Sequence, residues 1–266
     1  MKLKAAVRYY LNDFKKPVII YYGVLMTLFV LQLVISALLK VKNPSSGGME
    51  FATTIFLFVV GLNTFKAPFR LFLQNGLSRK TLYVGVVASL CLLAAATTLF
   101  DLAFGWFRGL FVRYTSTYME RFGSMYRDGK ELNAFFDGLL WSFLSYLTAG
   151  MTGFLITSLY YRMNKALKLI VSIGLPAFVF VGVPLLDSLL TKGVITAFGI
   201  NVVSFAFGYG ISISPFTSLF DLFRQLAMME GGIGLYPYHA ILYSVLSIAA
   251  AGVLCFLLIR RATVKE

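Results

Sequence analysis

Three aspartates pose the first chemical question. Asp101, Asp137 and Asp187 each stand at the edge of a strongly apolar stretch. An ionisable group at membrane depth is costly, and it marks a substrate or ion path unless it simply ends a helix in solvent. Read as chemistry, the three make a candidate outer gate, and Arg108, about two turns beyond Asp101, is placed to pair with one of them. The other reactive side chains exclude more than they suggest. His239 is the only histidine, and both cysteines, Cys91 and Cys255, fall inside apolar runs. The chain therefore offers no paired metal-ligand spacing and no Ser–His couple at depth. A phosphate-cradling G-x-x-x-x-G-K-[ST] loop is missing as well: Gly129-Lys130 is followed by Glu131, and Gly123 lies one residue too far back. The expectation is no catalytic site, no metal and no cofactor on this chain.

Those residues must be positioned by membrane-spanning helices. The chain is 59% hydrophobic and 13% charged, against roughly 25% charged residues in a soluble domain. Apolar runs approach or exceed the ~20 residues needed to cross the hydrocarbon layer, giving six expected spans at about 17–39, 51–67, 81–103, 138–161, 169–187 and 238–259. The second is short and completes its crossing only if Lys66 snorkels or the bilayer thins. The first run is too long for a cleaved signal peptide. The fold class predicted is thus an all-α membrane protein forming a single transmembrane domain over residues 1–266.

Charge sets the orientation. With the N-terminus inside and six alternating spans, the cytoplasmic side receives Lys2, Lys4, Arg8, Lys15, Lys16, Lys66, Arg70, Arg79, Lys80, Arg162, Lys165, Lys168, Arg260, Arg261 and Lys265, but only Asp13 and Glu266 among the acids. The net charge of +13 is then a positive-inside signature, and no nucleic-acid partner is needed to explain it. Both termini are expected in the cytoplasm of a multi-pass protein of the plasma membrane, with lipid as its surroundings.

Two outer segments are long. Residues 107–135 space Phe107, Leu110, Phe111, Tyr114, Tyr118, Phe122 and Met125 as on one face of an amphipathic helix lying on the outer leaflet, or they form a structured loop. Residues 194–229 read as a short descending segment, a break at "GYGISISP", and an amphipathic return started by Ser214–Pro215. The alternative, a seventh span over 194–213, would place the basic C-terminus outside. Small residues at 94–98 and 249–252 suit close helix packing, and Pro176 and Pro184 are expected to kink the fifth span.

The stretch "FKAPFRLFLQNGLSRKTLYVGV", 65–86, joins spans two and three. As a helix it places Phe65, Phe69, Phe72 and Leu73 on one side and Lys66, Arg70 and Gln74 on the next. Asn75–Gly76 stops it, and Ser78 caps the following helix. Arg79 and Lys80 then occupy a first turn where the helix dipole disfavours cations. Such a piece either fixes topology or docks an acidic partner surface.

Its segment "FRLFLQNGLSRKTLYVGVVAS" resembles the corresponding part of ABC-2-type transporter permeases of Gram-positive bacteria, a group that includes exporters of amphipathic peptide toxins (the phenol-soluble modulin exporters) and bacteriocin-immunity transporters. The resemblance implies six spans, cytoplasmic termini, outer-leaflet helices between spans five and six, and a coupling helix between spans two and three. Lys66, Phe69, Arg70, Asn75, Gly76, Ser78, Arg79 and Lys80 would then contact a separate cytoplasmic ATPase subunit that binds ATP and Mg. A second permease chain, identical or a related paralogue, would complete the path. The outer segment 107–135 is longer than that pattern. The rival readings are an intramembrane enzyme, which the lone histidine opposes; a secondary transporter, which needs a buried coupling carboxylate; and a non-transporting structural membrane partner.

Overall fold

The computed structural model describes residues 2–40, 45–46, 49–126, 131–206, 214, 218 and 237–260. Among the described residues five helices are long and apolar enough to cross a membrane: Leu3–Leu38, Arg79–Gly109, Leu132–Arg162, Ala166–Leu190 and Pro237–Arg260, with Met49–Asn63 a shorter apolar helix. The chain is a helical, membrane-embedded protein. It falls into two compact units, Met1–Tyr161 with Ser244–Glu266, and Arg162–Tyr243.

In the first unit α1 (Lys2–Leu38) begins well before the expected span. Its N-terminal part is amphipathic: Ala6, Tyr10 and Phe14, four residues apart, are buried, while Arg8, Lys15 and Lys16 are exposed. The buried stripe continues through Leu25 and Phe29. It packs along α4 (Arg79–Gly109), where a Cβ at Gly85 would come within 3.2 Å of the Ala6 methyl. The outward faces of both helices, with Ile19, Ile20, Leu92 and Leu99, are apolar and exposed, as lipid contact requires.

The short α2 (Met49–Asn63) crosses α6 (Glu131–Arg162) backbone to backbone. A Cβ at Gly61 would overlap the Gly150 carbonyl, and one at Gly153 would overlap the Phe58 carbonyl. Small residues permit this approach in a membrane, where packing rather than water exclusion holds helices together. The Thr157 hydroxyl reinforces it by donating to the Leu62 carbonyl at 2.5 Å. Within the "AAATT" patch of α4, Ala94, Thr97 and Thr98 are buried, and the Thr97 and Thr98 hydroxyls donate to the carbonyls of Leu93 and Ala94 at 3.0 and 2.8 Å. Their polar atoms are thereby satisfied inside the helix itself. Gly252, in the other small-residue patch, accepts from the Tyr83 hydroxyl at 3.0 Å through its carbonyl.

Residues 107–135 are not one amphipathic helix. Helix α4 runs on to Gly109, and the chain then turns through the two-residue strand β2 (Arg113–Tyr114), which pairs in parallel with β1 (Ser45–Ser46). A short α5 (Thr117–Phe122), capped by the Ser116 hydroxyl, and a 3-10 turn, Gly123–Tyr126, follow. Of the two readings the structured loop is the one formed, and the Ser116 cap starts a separate short helix.

The second unit contains the stretch expected as the fifth span, built as α7 (Lys165–Leu169), α8 (Leu175–Ala177) and α9 (Val183–Leu190), linked by π-helical turns at Ile170–Gly174 and Phe178–Gly182. Each π turn contains the residue four positions before a proline, Ser172 for Pro176 and Phe180 for Pro184. That is where the proline ring would clash with a carbonyl and leave it without its donor. The widened turns absorb both prolines. Helix α10 (Val194–Ala206) follows, 13 residues long. The rest of the expected re-entrant segment, including the start at Pro215, lies outside the described residues. The last helix, α11 (Pro237–Arg260), begins in this unit and ends in the first.

Candidate functional site

The helix joining α2 to α4 forms as expected. Helix α3 (Lys66–Gln74) turns Phe65, Phe69 and Phe72 inward, all buried. Phe65 and Phe69 stack at 4.7 Å between centroids and both meet the Tyr161 ring edge-on at the end of α6. Phe72 packs on Tyr9 and Tyr10 of α1 at 5.1 and 5.6 Å. One short helix is thus bolted to the ends of two long ones. Phe69, grouped by the sequence with the docking residues, is fully buried and anchors α3 to the bundle.

The stop is a glycine-closed turn: Gly76 has φ 67°, its N–H donates to the Leu73 carbonyl at 3.0 Å, and Leu77 N–H donates to the Phe72 carbonyl at 2.9 Å. Asn75 Nδ2 donates to the Leu71 carbonyl at 2.8 Å. Ser78 then caps α4, its hydroxyl accepting from Thr81 N–H at 3.1 Å. Ser78, Arg79 and Lys80 are exposed. Arg79 has a partner no sequence pattern announces: its Nη1 donates to the Arg260 carbonyl at 2.6 Å, capping the C-terminus of α11. The backbones of Lys66 and Arg70 lie in α3, while their side chains lie outside the described residues.

Toward the opposite end of α4, where Asp101 is about 33 Å from Arg79 at 1.5 Å per residue, lies a polar network. Asp101 accepts from the Tyr22 hydroxyl of α1 at 2.8 Å and from the Tyr146 hydroxyl of α6 at 2.5 Å, one on each carboxylate oxygen. Next to it the Tyr21 and Thr53 hydroxyls are bonded at 2.8 Å. Glu50, at the start of α2 and 7% exposed, accepts three bonds: from the Tyr114 hydroxyl at 2.8 Å, Thr117 N–H at 3.2 Å and the Thr117 hydroxyl at 2.7 Å. Arg108 is 1% exposed, with its guanidinium 4.9 Å from the Tyr114 ring centre and 5.6 and 5.8 Å from those of Phe29 and Phe104. The groups that act electrostatically on its charge are Tyr114 first and then Glu50. Burial first, and then the Glu50 charge and hydrogen bond, push the Tyr114 hydroxyl above its ordinary ionisation range. Tyr126 is pushed the same way by burial and by its bonds to Tyr118 and Asp137, the latter at 2.7 Å.

This network borders a cavity of about 750 Å³. Glu50 and Asp101 face it together with Trp106, Tyr114, Tyr118 and Phe135. Of the three aspartates, Asp101 lines it directly, and Asp137 is tied to the lining residue Tyr126. Asp187, in the second unit, is buried and acts locally. Its carboxylate accepts from the Thr191 hydroxyl, from Ile195 N–H at 3.3 Å and from Thr196 N–H at 2.6 Å. It caps the N-terminus of α10, where a negative charge also meets the helix dipole favourably. His239 sits in the first turn of α11.

Sequence reading missed Glu50, Tyr22, Tyr146 and Tyr114. The available signal was Glu50 itself, an acid immediately before the apolar run 51–65. The tyrosines carried none, because their meeting depends on which helix faces which. Among the described residues no group of three His, Cys, Asp or Glu side chains is arranged to hold a metal ion. The chain matches no protein-family model, no curated protein and no solved structure.

Proposed function

We propose that the chain is the permease subunit of an ATP-driven exporter in the plasma membrane, with six spans, cytoplasmic termini and α3 as its coupling helix. A separate ATPase supplies the energy and binds ATP and Mg, and a second permease chain encloses the path. The observation that carries this reading is the anchoring of α3. A helix held by buried phenylalanines to the ends of both α1 and α6 transmits a push on its outer face to those helices, whereas a mere topology signal needs only its charges. The basic residues around it and the resemblance of 69–89 to ABC-2 permeases support the same reading. Docking drives transport only if the ATPase binds one conformation of the bundle better than the other.

The test is co-purification of the full chain with its membrane-associated partners, wild type beside Arg70→Glu/Lys80→Glu. Arg79 is left intact because it caps α11. An ATPase captured by the wild type and lost with the folded variant supports the reading, and capture of no ATPase by either chain sinks it. Glu50, buried beside Asp101 at the cavity, favours a second reading, an ion-coupled transporter. Its signature is substrate movement in vesicles driven by an ion gradient with no ATPase present.

A further inference from the structure

The cavity between α4, α5 and α6 has a composition that selects a ligand. Its volume of about 750 Å³ lies within the roughly 300–1,000 Å³ of small-molecule sites. Among the described lining residues the charged side chains are Glu50 and Asp101, both acidic, and the walls are mainly apolar and aromatic. The nearby cation, Arg108, is buried beneath the Tyr114 ring and is not among the lining residues. Glu50 is committed to three hydrogen bonds and to the charge of Arg108. Asp101 receives the neutral hydroxyls of Tyr22 and Tyr146, with that of Thr53 also acting on it, and these hold its carboxylate in place at the cavity without supplying an opposite charge.

We propose that this cavity is a binding site for a lipophilic monocation, with Asp101 as the counter-charge and the rings of Trp106, Tyr118 and Phe135 as walls. An organic cation with delocalised charge sheds water cheaply, gains from the faces of aromatic rings, and meets a half-buried carboxylate at the cavity wall. A neutral apolar molecule would leave Asp101 without compensation, and an anion would be repelled by both acids. The proposal gives the permease reading a cargo class, lipophilic cations. It rests on that reading only for cargo status, because binding is measured on this chain alone.

The experiment is equilibrium dialysis of tetraphenylphosphonium against the purified full-length chain in nanodiscs, with empty nanodiscs subtracted and triphenylphosphine oxide as the neutral comparison. The expected result is saturable binding of one cation per chain, weakened about tenfold or more by Asp101→Asn, which corresponds to ~1.4 kcal/mol or more. A second variant avoids the polar network: a Cβ at Gly109 meets nothing within 4 Å, and Gly109 lines the cavity. Gly109→Phe adds a ring at the edge of the cavity and narrows it, is expected to weaken saturable binding without lowering Tm, and decides the matter alone if Asp101→Asn fails to fold. Wild-type affinity in Gly109→Phe, unchanged affinity in folded Asp101→Asn, or equal binding of the neutral compound overturns the proposal. Failure to capture an ATPase leaves this result untouched, so the two ideas fail separately.

Discussion

The Tyr114 hydroxyl donates to a carboxylate oxygen of Glu50 at 2.8 Å, across 64 positions of sequence. The same ring carries the Arg108 guanidinium 4.9 Å from its centre, so one tyrosine touches both members of an acid–base pair. The two-residue strand that holds Tyr114 is thereby fastened to the start of α2 and the end of α4. Tyr114→Phe keeps the ring under Arg108 and removes only the bond to Glu50. The expected loss is about 1–2 kcal/mol, read as a lower Tm in detergent. Glu50→Ala is expected to cost more, because it removes the acceptor of three bonds and each buried donor left unsatisfied costs about 1–3 kcal/mol. Equal effects of the two substitutions would show that the Thr117 bonds contribute nothing.

Alkaline pH should loosen the same region. The Tyr114 and Tyr126 hydroxyls are held protonated above the ordinary value of 10.0. The unfolded chain releases those protons first, so their contribution to stability is complete below about pH 10 and declines as pH rises beyond it. Tm measured from about pH 8 to about pH 11.5 should fall above about pH 10, and less steeply in Tyr114→Phe/Tyr126→Phe. Identical slopes would refute the assignment.

The crossing of α2 and α6 depends on glycine. Gly61→Ala places a methyl on the Gly150 carbonyl and must push the helices apart, at an expected cost of about 1–3 kcal/mol. Gly23→Ala is the built-in contrast: nothing lies within 4 Å of its Cβ, and helix propensity favours it by roughly 0.5–1 kcal/mol. Unfolding titrations in mixed micelles should move in opposite directions for the two.

Arg79 and Lys80 are both exposed, but they should behave differently. Arg79→Ala removes the cap on the Arg260 carbonyl, and amide exchange over residues 256–260 should quicken several-fold, corresponding to about 1 kcal/mol. Lys80→Ala should leave that exchange unchanged. A similar effect of both would mean that the end of α11 responds to charge in general and not to this bond.

Asp187→Ala removes the acceptor of the Ile195 and Thr196 N–H groups. Loss of such a cap costs about 0.5–2 kcal/mol, and the N-terminal turn of α10 should show it as faster exchange. Protection equal to the wild type would mean that Asp187 is not what holds this turn.

Much was decided by the sequence alone. Apolar runs long enough for lipid specify the spans, because a backbone in hydrocarbon must satisfy its own hydrogen bonds and helices do so locally. Phe65, Phe69, Phe72, Gly76 and Ser78 foretold the α3 elbow for the same reason: caps, stops and amphipathic faces act within a few residues. Helix spacing alone left residues 107–135 open between an amphipathic helix and a structured loop, and the strand at Arg113–Tyr114 with the Ser116 cap makes it the latter. What the tertiary structure decided is the partnership of distant residues. Asp101 with Tyr22 and Tyr146, Glu50 with Tyr114 and Thr117, and Arg79 with the Arg260 carbonyl are separated by 45 to 181 positions. A span presents an apolar surface nearly all round, so its composition does not say which face meets which neighbour. Glycine contacts such as Gly61 on Gly150 set those faces, and only then do the acids, the tyrosines and the cavity they line come together.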